Sequence, residues 1–238
     1  MSILPYPAAL SRLTRHAADL LLPASCLLCG GDSKSEIVCA ACAGELPQLT
    51  EHRCPLCADR TTHGERCGAC LKDPPTFART LVAYRYDYPL DRIVHALKYG
   101  LQLAVAGWCA DQLAPLASDE RFDRILPLPL HDERLRERGF NQSGEIAKAL
   151  GRRLDLPVDL TSLLRTRATP PQAELPHKER LRNVRGAFEC RTDLTGQHLL
   201  LIDDVMTTGA TANECARILK LHGAASVTVA VVARALKD

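Results

Sequence analysis

The sequence predicts an α/β protein, a parallel sheet flanked by helices, preceded by a small duplicated cysteine module. Three observations carry this reading. Residues Leu199 to Thr211 run as four aliphatic side chains, two adjacent carboxylates and a hydroxyl-rich turn, and a helix-period pattern follows. That order describes a buried parallel strand feeding a helix. Ile125 to Leu130 is a second apolar run that ends in a turn before a helical pattern. Eight of the 11 cysteines lie between Cys26 and Cys70.

A chain of 238 residues has room for one large domain or two smaller ones. Its 46% hydrophobic and 24% charged residues are ordinary for a globular protein, and a net charge of +2 argues for no particular partner. Lys, Arg, Asp or Gly interrupts every apolar run well short of the roughly 18 residues that a membrane helix needs, so no span is expected. Leu10, Leu13, Ala17, Leu20 and Leu21 share one helical face, and Asp19 falls where the apolar core of a signal peptide would lie. Residues 1–22 therefore read as an amphipathic helix, and the protein is expected to be cytoplasmic.

Four Cys-x-x-Cys pairs follow: Cys26/Cys29, Cys39/Cys42, Cys54/Cys57 and Cys67/Cys70. The last four positions repeat the first four with a constant offset, which marks an internal duplication. Paired knuckles of this kind place four thiolates tetrahedrally around zinc. Disulfides would need an oxidising compartment, and redox pairs do not call for a duplicated array. Residues 23–75 are thus expected to be a double zinc ribbon with one or two structural ions. Sequential pairing, the first four cysteines on one ion and the last four on another, closes the shortest loops. The nine-residue gap within each unit is short for a ribbon, which leaves open a degenerate site. His52 and His63 read as exposed loop residues, with a stray ligand role as the alternative.

Asp73-Pro74-Pro75 is a linker, because consecutive prolines can continue neither helix nor ladder. The domain from 76 to 238 opens with a strand over Arg79–Tyr86. A helix then runs through Ile93, Val94 and Leu97 to Gly100, and another over Leu103–Leu116. Lys98, at the end of the first helix, is a solvated lysine or a phosphate ligand. The run from Ile125 to His131 is a buried strand delivering a loop with Arg134, Arg136, Arg138 and Gly139, and Asn141 caps the next helix. Guanidinium groups at a strand end suit pyrophosphate, because their donors form a planar fork.

The junction at Asp203 suits a ribose 5-phosphate. The free amides and positive dipole end of a helix N-terminus favour an anion, and Thr207, Thr208 and Thr211 add hydroxyl donors beside Gly209 and Ala210. Asp203 and Asp204 would repel phosphate in the same spot. They fit as acceptors for sugar hydroxyls, or as holders of magnesium through water. The bland alternative is an Asp-Asp turn with a threonine-rich helix cap. The Gly-Lys-Ser/Thr ending of a P-loop is missing, which argues against triphosphate cradling of that type.

This stretch resembles the phosphoribosyl pyrophosphate (PRPP) motif of type I phosphoribosyltransferases. That resemblance implies that Asp203 and Asp204 bind the ribose hydroxyls and that Thr207, Thr208, Gly209, Ala210 and Thr211 hold the 5-phosphate. Together with the cysteine knuckles, Lys98-Tyr99, Pro-Leu-Pro-Leu-His and Arg-Gly-Phe-Asn-Gln, the chain looks like the ComF family along nearly its whole length. The resemblance implies a type I phosphoribosyltransferase-like sheet, a pyrophosphate loop with His131, Arg134, Arg138 and Gly139, and magnesium bound with PRPP. It also implies a lid over residues 165–188 that includes Gln172, Arg180 and Asn183. A role in DNA uptake during natural transformation follows from the same resemblance, with single-stranded DNA and a competence helicase as partners. No residue announces a pocket for the acceptor.

Residues 121–185 carry 14 lysines and arginines against 9 acids. Such a patch serves a nucleic-acid backbone, the pyrophosphate, or nothing beyond solvation. Two functions therefore stand side by side. One is transfer of a phosphoribosyl group to an unknown acceptor with release of pyrophosphate. The other is a non-catalytic DNA-binding or docking module with a regulatory PRPP site.

Overall fold

Leu199, Leu200, Leu201 and Ile202 are all at 0% exposure, which places their strand in the middle of the sheet. The computed structural model describes residues 25–34, 36–49, 52–100, 102–167 and 184–236. The helix expected over 1–22, and Gln172, Arg180 and Asn183 of the expected lid, lie outside these residues. The chain divides into two units, Met1–Leu46 and Pro47–Asp238.

The first unit holds Cys26, Cys29, Cys39 and Cys42 and the short helix α1 (Ala40–Gly44). The second opens with the knuckles of Cys54, Cys57, Cys67 and Cys70 and helix α2 (Gly68–Lys72). β1 (Arg79–Arg85), α3 (Leu90–Tyr99), α4 (Ala104–Ala117), β2 (Arg124–Pro127), α5 (Asp132–Arg138) and α6 (Gln142–Leu154) follow. Then come β3 (Leu163–Arg165), β4 (Phe188–Cys190), β5 (His198–Met206), α7 (Ala210–Leu221) and β6 (Ser226–Arg234).

Four strands form a parallel sheet in the order β1-β6-β5-β2. Strand residues alternate between its faces. Leu199, Leu201, Val229 and Val231 join a core cluster with Cys215, Ala216 and Leu219 of α7. Leu200, Ile202 and Ala230, at the alternate positions, are equally buried, and α4 and α6 pack on each other and against the sheet. Both faces are covered, which is why β5 and β6 read as unbroken apolar runs rather than alternating ones. A separate antiparallel ribbon, β3 with β4, brackets residues 166–187.

The strand and helix expectations hold within a few residues, with two differences. The segment expected as an arginine-bearing loop contains α5, because Asp132-Glu133 at its start and Arg136 and Arg138 at its end complement the helix dipole. Helix α7 begins at Ala210, two residues before the apolar periodicity does, because Gly209 takes φ +76° and turns the chain early. Among the described residues no helix is long and apolar enough to cross a membrane.

Candidate functional site

A cavity of about 380 Å³ opens where β5 ends and α7 starts, at the carboxyl edge of the sheet where open α/β folds hold ligands. Asp203 and the turn Thr207–Thr211 form one wall. Gly209 supplies the left-handed residue that the turn needs, and the Thr208 hydroxyl accepts from the Ala210 N–H at 3.2 Å. Replacing Gly209 by alanine puts a Cβ in a region of backbone space that costs an L-residue about 1 kcal/mol or more. The expected outcome is a measurable fall in melting temperature and a larger fall in phosphate-ester affinity, read by thermal melts with and without ribose 5-phosphate.

The two acids play different parts. Asp203 is half-buried and lines the cavity. Its Oδ1 accepts from Ser143 Oγ at 3.0 Å and from the Asp204 N–H at 2.9 Å. Burial pushes its pKa up to about 8, helped by the neighbouring Asp204 charge and opposed by Lys98. Asp204 is 4% exposed, and its carboxylate lies 2.6 Å from Lys98 Nζ. Burial by itself would lower the Lys98 pKa, but Asp204, with help from Asp203, holds it above the ordinary value. Lys98 is therefore neither a free surface lysine nor a simple phosphate ligand. It is the counter-ion of the motif's second acid and also lines the cavity.

Arg134 and Arg138 line the same cavity. They stand four residues apart on α5, which puts both guanidiniums on one helical face. Arg138 Nη1 donates to Gln142 Oε1 at 2.6 Å, and its guanidinium lies 5.3 Å from the centre of the Tyr99 ring. Asn141 fixes the far end of this segment: its Oδ1 accepts from the Ser143 N–H at 3.1 Å, and its Nδ2 donates to the Leu128 carbonyl at 2.9 Å. Arg165 joins the lining from β3, with its pKa lowered by burial and by the charges of Arg134 and Arg167. His131 and Gly139 line a neighbouring cavity of about 730 Å³ instead. The His131 ring Nδ1 accepts from the Glu133 N–H at 3.3 Å and so caps α5.

The eight knuckle cysteines form two clusters of four, paired sequentially, with the sulfurs of each within 4.8 Å of one another. Cys29 and Cys39 Sγ are 3.8 Å apart, and Cys57 and Cys67 Sγ 3.6 Å. A zinc–sulfur bond of about 2.3 Å in a tetrahedron requires sulfur separations of about 3.8 Å, so the residues fit the metal. Burial works to raise Cys26, yet the N–H groups of Cys39, Cys29 and Leu28 bring it down to about 6. Hydrogen bonds with Cys39 and Cys29 push Cys42 up to about 12. Zinc bound at either cluster would hold all four cysteines as thiolates. Neither His52 nor His63 joins a cluster.

Residues 17–71 match the family described as a double zinc ribbon domain, and residues 138–238 match the phosphoribosyl transferase domain. The chain is 34% identical over 207 residues to DNA utilization protein YhgH of Escherichia coli O157:H7, covering 84% of this chain and 91% of that protein. It is 28% identical over 220 residues to competence protein F of Haemophilus influenzae, covering 88% and 90%. The chain belongs to the ComF family. Competence protein ComFC of Bacillus subtilis is a further relative, 28% identical over 231 residues and covering 85% of this chain and 92% of that one. In this ComF-family chain the zinc is structural: both sites are filled by four cysteines, with no open position for a substrate.

Lys98, Arg165, Ser143 and Tyr99 entered the site through packing. Lys98 was the one of these whose link to a ligand the sequence raised. Its partnership with Asp204 joins α3 to β5 across more than a hundred residues, and no local spacing encodes it.

Proposed function

We propose that the cavity binds PRPP with magnesium, and that the protein uses this site in DNA uptake during natural transformation. The observation that supports this most is that one cavity is lined both by Asp203 with the Thr207–Thr211 turn and by Arg134 and Arg138. Asp203 accepts from the ribose hydroxyls, while Asp204 acts through Lys98. The amides and hydroxyls of Thr207 to Thr211 hold the 5-phosphate, and the two arginines take the pyrophosphate. Magnesium carried by PRPP would supply charge neutralisation for the leaving pyrophosphate beside Arg134 and Arg138. An acceptor then attacks the anomeric carbon with inversion, the bond to pyrophosphate breaks, and charge stabilisation with positioning lowers the barrier. The family resemblance assigns Gln172, Arg180 and Asn183 to the lid, and His131 and Gly139 flank the arginine-bearing helix.

Calorimetric titration separates the two walls. Arg134→Ala/Arg138→Ala is expected to weaken PRPP by about 10- to 100-fold, the cost of losing charge-assisted hydrogen bonds. Ribose 5-phosphate, which lacks the pyrophosphate, should bind it as it binds the wild type. Equal loss for both ligands would remove the assigned polarity.

A second reading has its own support. Tyr86, Tyr88 and Tyr99 are 37%, 71% and 65% exposed, and Tyr86 and Tyr99 line the cavity beside Arg138. Aromatic rings among arginines suit single-stranded DNA, with a competence helicase as the partner that delivers the strand and PRPP as a regulator. Binding of an oligothymidylate should then weaken steeply with salt and fall in a Tyr88→Ala/Tyr99→Ala variant. Salt-insensitive binding would contradict this reading.

A further inference from the structure

We infer that Arg234 couples the second zinc site to the ribose-phosphate loop, so that zinc at Cys54, Cys57, Cys67 and Cys70 and ligand in the cavity strengthen each other's binding. The inference rests on the PRPP reading of the cavity and extends it.

Arg234 is the last residue of β6 and is 4% exposed. Its guanidinium has two kinds of partner. On one side Nε donates to the backbone carbonyl of Cys57, a zinc ligand, at 3.0 Å, and Nη2 lies 4.0 Å from Asp59. On the other side Nη1 donates to the Met206 carbonyl at 3.1 Å and to the Thr207 carbonyl. One buried cation thus spans from the metal knuckle to the two peptides that open the Thr207–Thr211 turn.

The consequence for the loop follows from peptide geometry. In a planar trans peptide the N–H points opposite to the C=O. Carbonyls of Met206 and Thr207 drawn to Arg234 therefore turn the amides of Thr207 and Thr208 away from it, and both residues line the cavity. A charge as deeply buried as Arg234 tolerates little displacement: Nε has the Cys57 carbonyl as its acceptor, while Nη1 is shared among the Met206, Thr207 and Ala235 carbonyls. The knuckle is tied in by other contacts as well. Thr80 Oγ1 donates to the Leu56 carbonyl at 2.8 Å, and Ala58 sits in the core cluster with Phe77 and Met206. When zinc holds Cys54 and Cys57 together, the Cys57 carbonyl is fixed, and with it the guanidinium and the loop. Arg234 is a positioning residue: it acts on the ligand through the loop backbone.

The test follows zinc release to a zinc-selective chelator from the full-length, zinc-loaded protein, with and without saturating PRPP and magnesium. Calorimetry measures PRPP binding in parallel. Saturating PRPP is expected to slow release of one of the two zinc ions by roughly fivefold or more, the lower range of ordinary coupling between sites. The Cys26–Cys42 site, in the other unit, serves as the internal reference. By reciprocity, removing the coupled ion should weaken PRPP by the factor by which PRPP tightens zinc binding at equilibrium. Arg234→Lys retains charge but loses the fork, so it should bring the ratio of the two release rates to about one. General destabilisation would instead speed release equally with and without ligand, leaving the ratio intact. PRPP binding with no effect on either zinc overturns the coupling while the PRPP reading stands. A ratio unchanged by Arg234→Lys overturns the role of Arg234. If Arg234→Lys does not fold, the wild-type release ratio decides the coupling. No PRPP binding at all removes the coupling together with the reading beneath it.

Discussion

Asp203→Asn is expected to weaken PRPP binding by about 10- to 100-fold while stabilising the ligand-free protein at alkaline pH. The first effect, read above pH 8 where Asp203 is ionised, is the loss of a charged acceptor for ribose hydroxyls. The second follows from its raised pKa, about 8 in the folded protein against an ordinary 3.8. A carboxyl whose folded pKa is raised favours the native state fully below its unfolded pKa, and that contribution is lost as pH rises through the folded value. Wild type and variant should therefore melt alike near pH 4. The gap should widen in favour of the variant between pH 4 and 8 and level off above. Each kcal/mol of that gap corresponds to about 2–4 °C in a domain of this size. A wild-type advantage that grows with pH would contradict the burial assigned to Asp203. Sites that bind charged groups commonly trade stability for function in this way.

Lys98→Met should be among the most damaging single changes in the second unit. Asp204 lies 2.6 Å from Lys98 Nζ, and both side chains are largely withdrawn from water, at 5% and 22% exposure. Removing one partner of such a pair leaves an uncompensated charge and costs about 3–5 kcal/mol. The melting temperature should drop by about 10 °C. Adding Asp204→Asn to Lys98→Met removes the stranded charge and should recover more than half of that loss. Two changes that simply add their penalties would show that the pair is not coupled. A Lys98 acting only on a bound phosphate would leave the melting temperature of the ligand-free protein unmoved.

Much of this molecule was legible because its signals are local. The four Cys-x-x-Cys spacings place the ligands of both metal sites, since each knuckle closes within four residues. Leu199–Thr211 encodes strand, turn and helix in sequence, and Gly209 takes the positive φ that the turn demands. Features made by long-range packing were not legible. The Lys98–Asp204 pair joins the end of one helix to the middle of a distant strand. The Arg234 bridge joins the last strand to a knuckle 177 positions away. The arginine segment read as a loop because α5 buries none of its residues, so no apolar period marks it. His131 shows the opposite limit. Its resemblance to a pyrophosphate residue is a matter of position, while its ring nitrogen is engaged in capping α5.

Every functional step proposed for this protein requires that the cavity lined by Asp203 and the arginine helix is a PRPP site. Isothermal titration of PRPP into the zinc-loaded protein, with and without magnesium, tests this most directly. The expected result is saturable one-to-one binding that strengthens with magnesium and is lost or greatly weakened in Asp203→Asn. A wild-type protein that takes up no PRPP under either condition, or an Asp203→Asn variant that binds it equally well, would contradict the account.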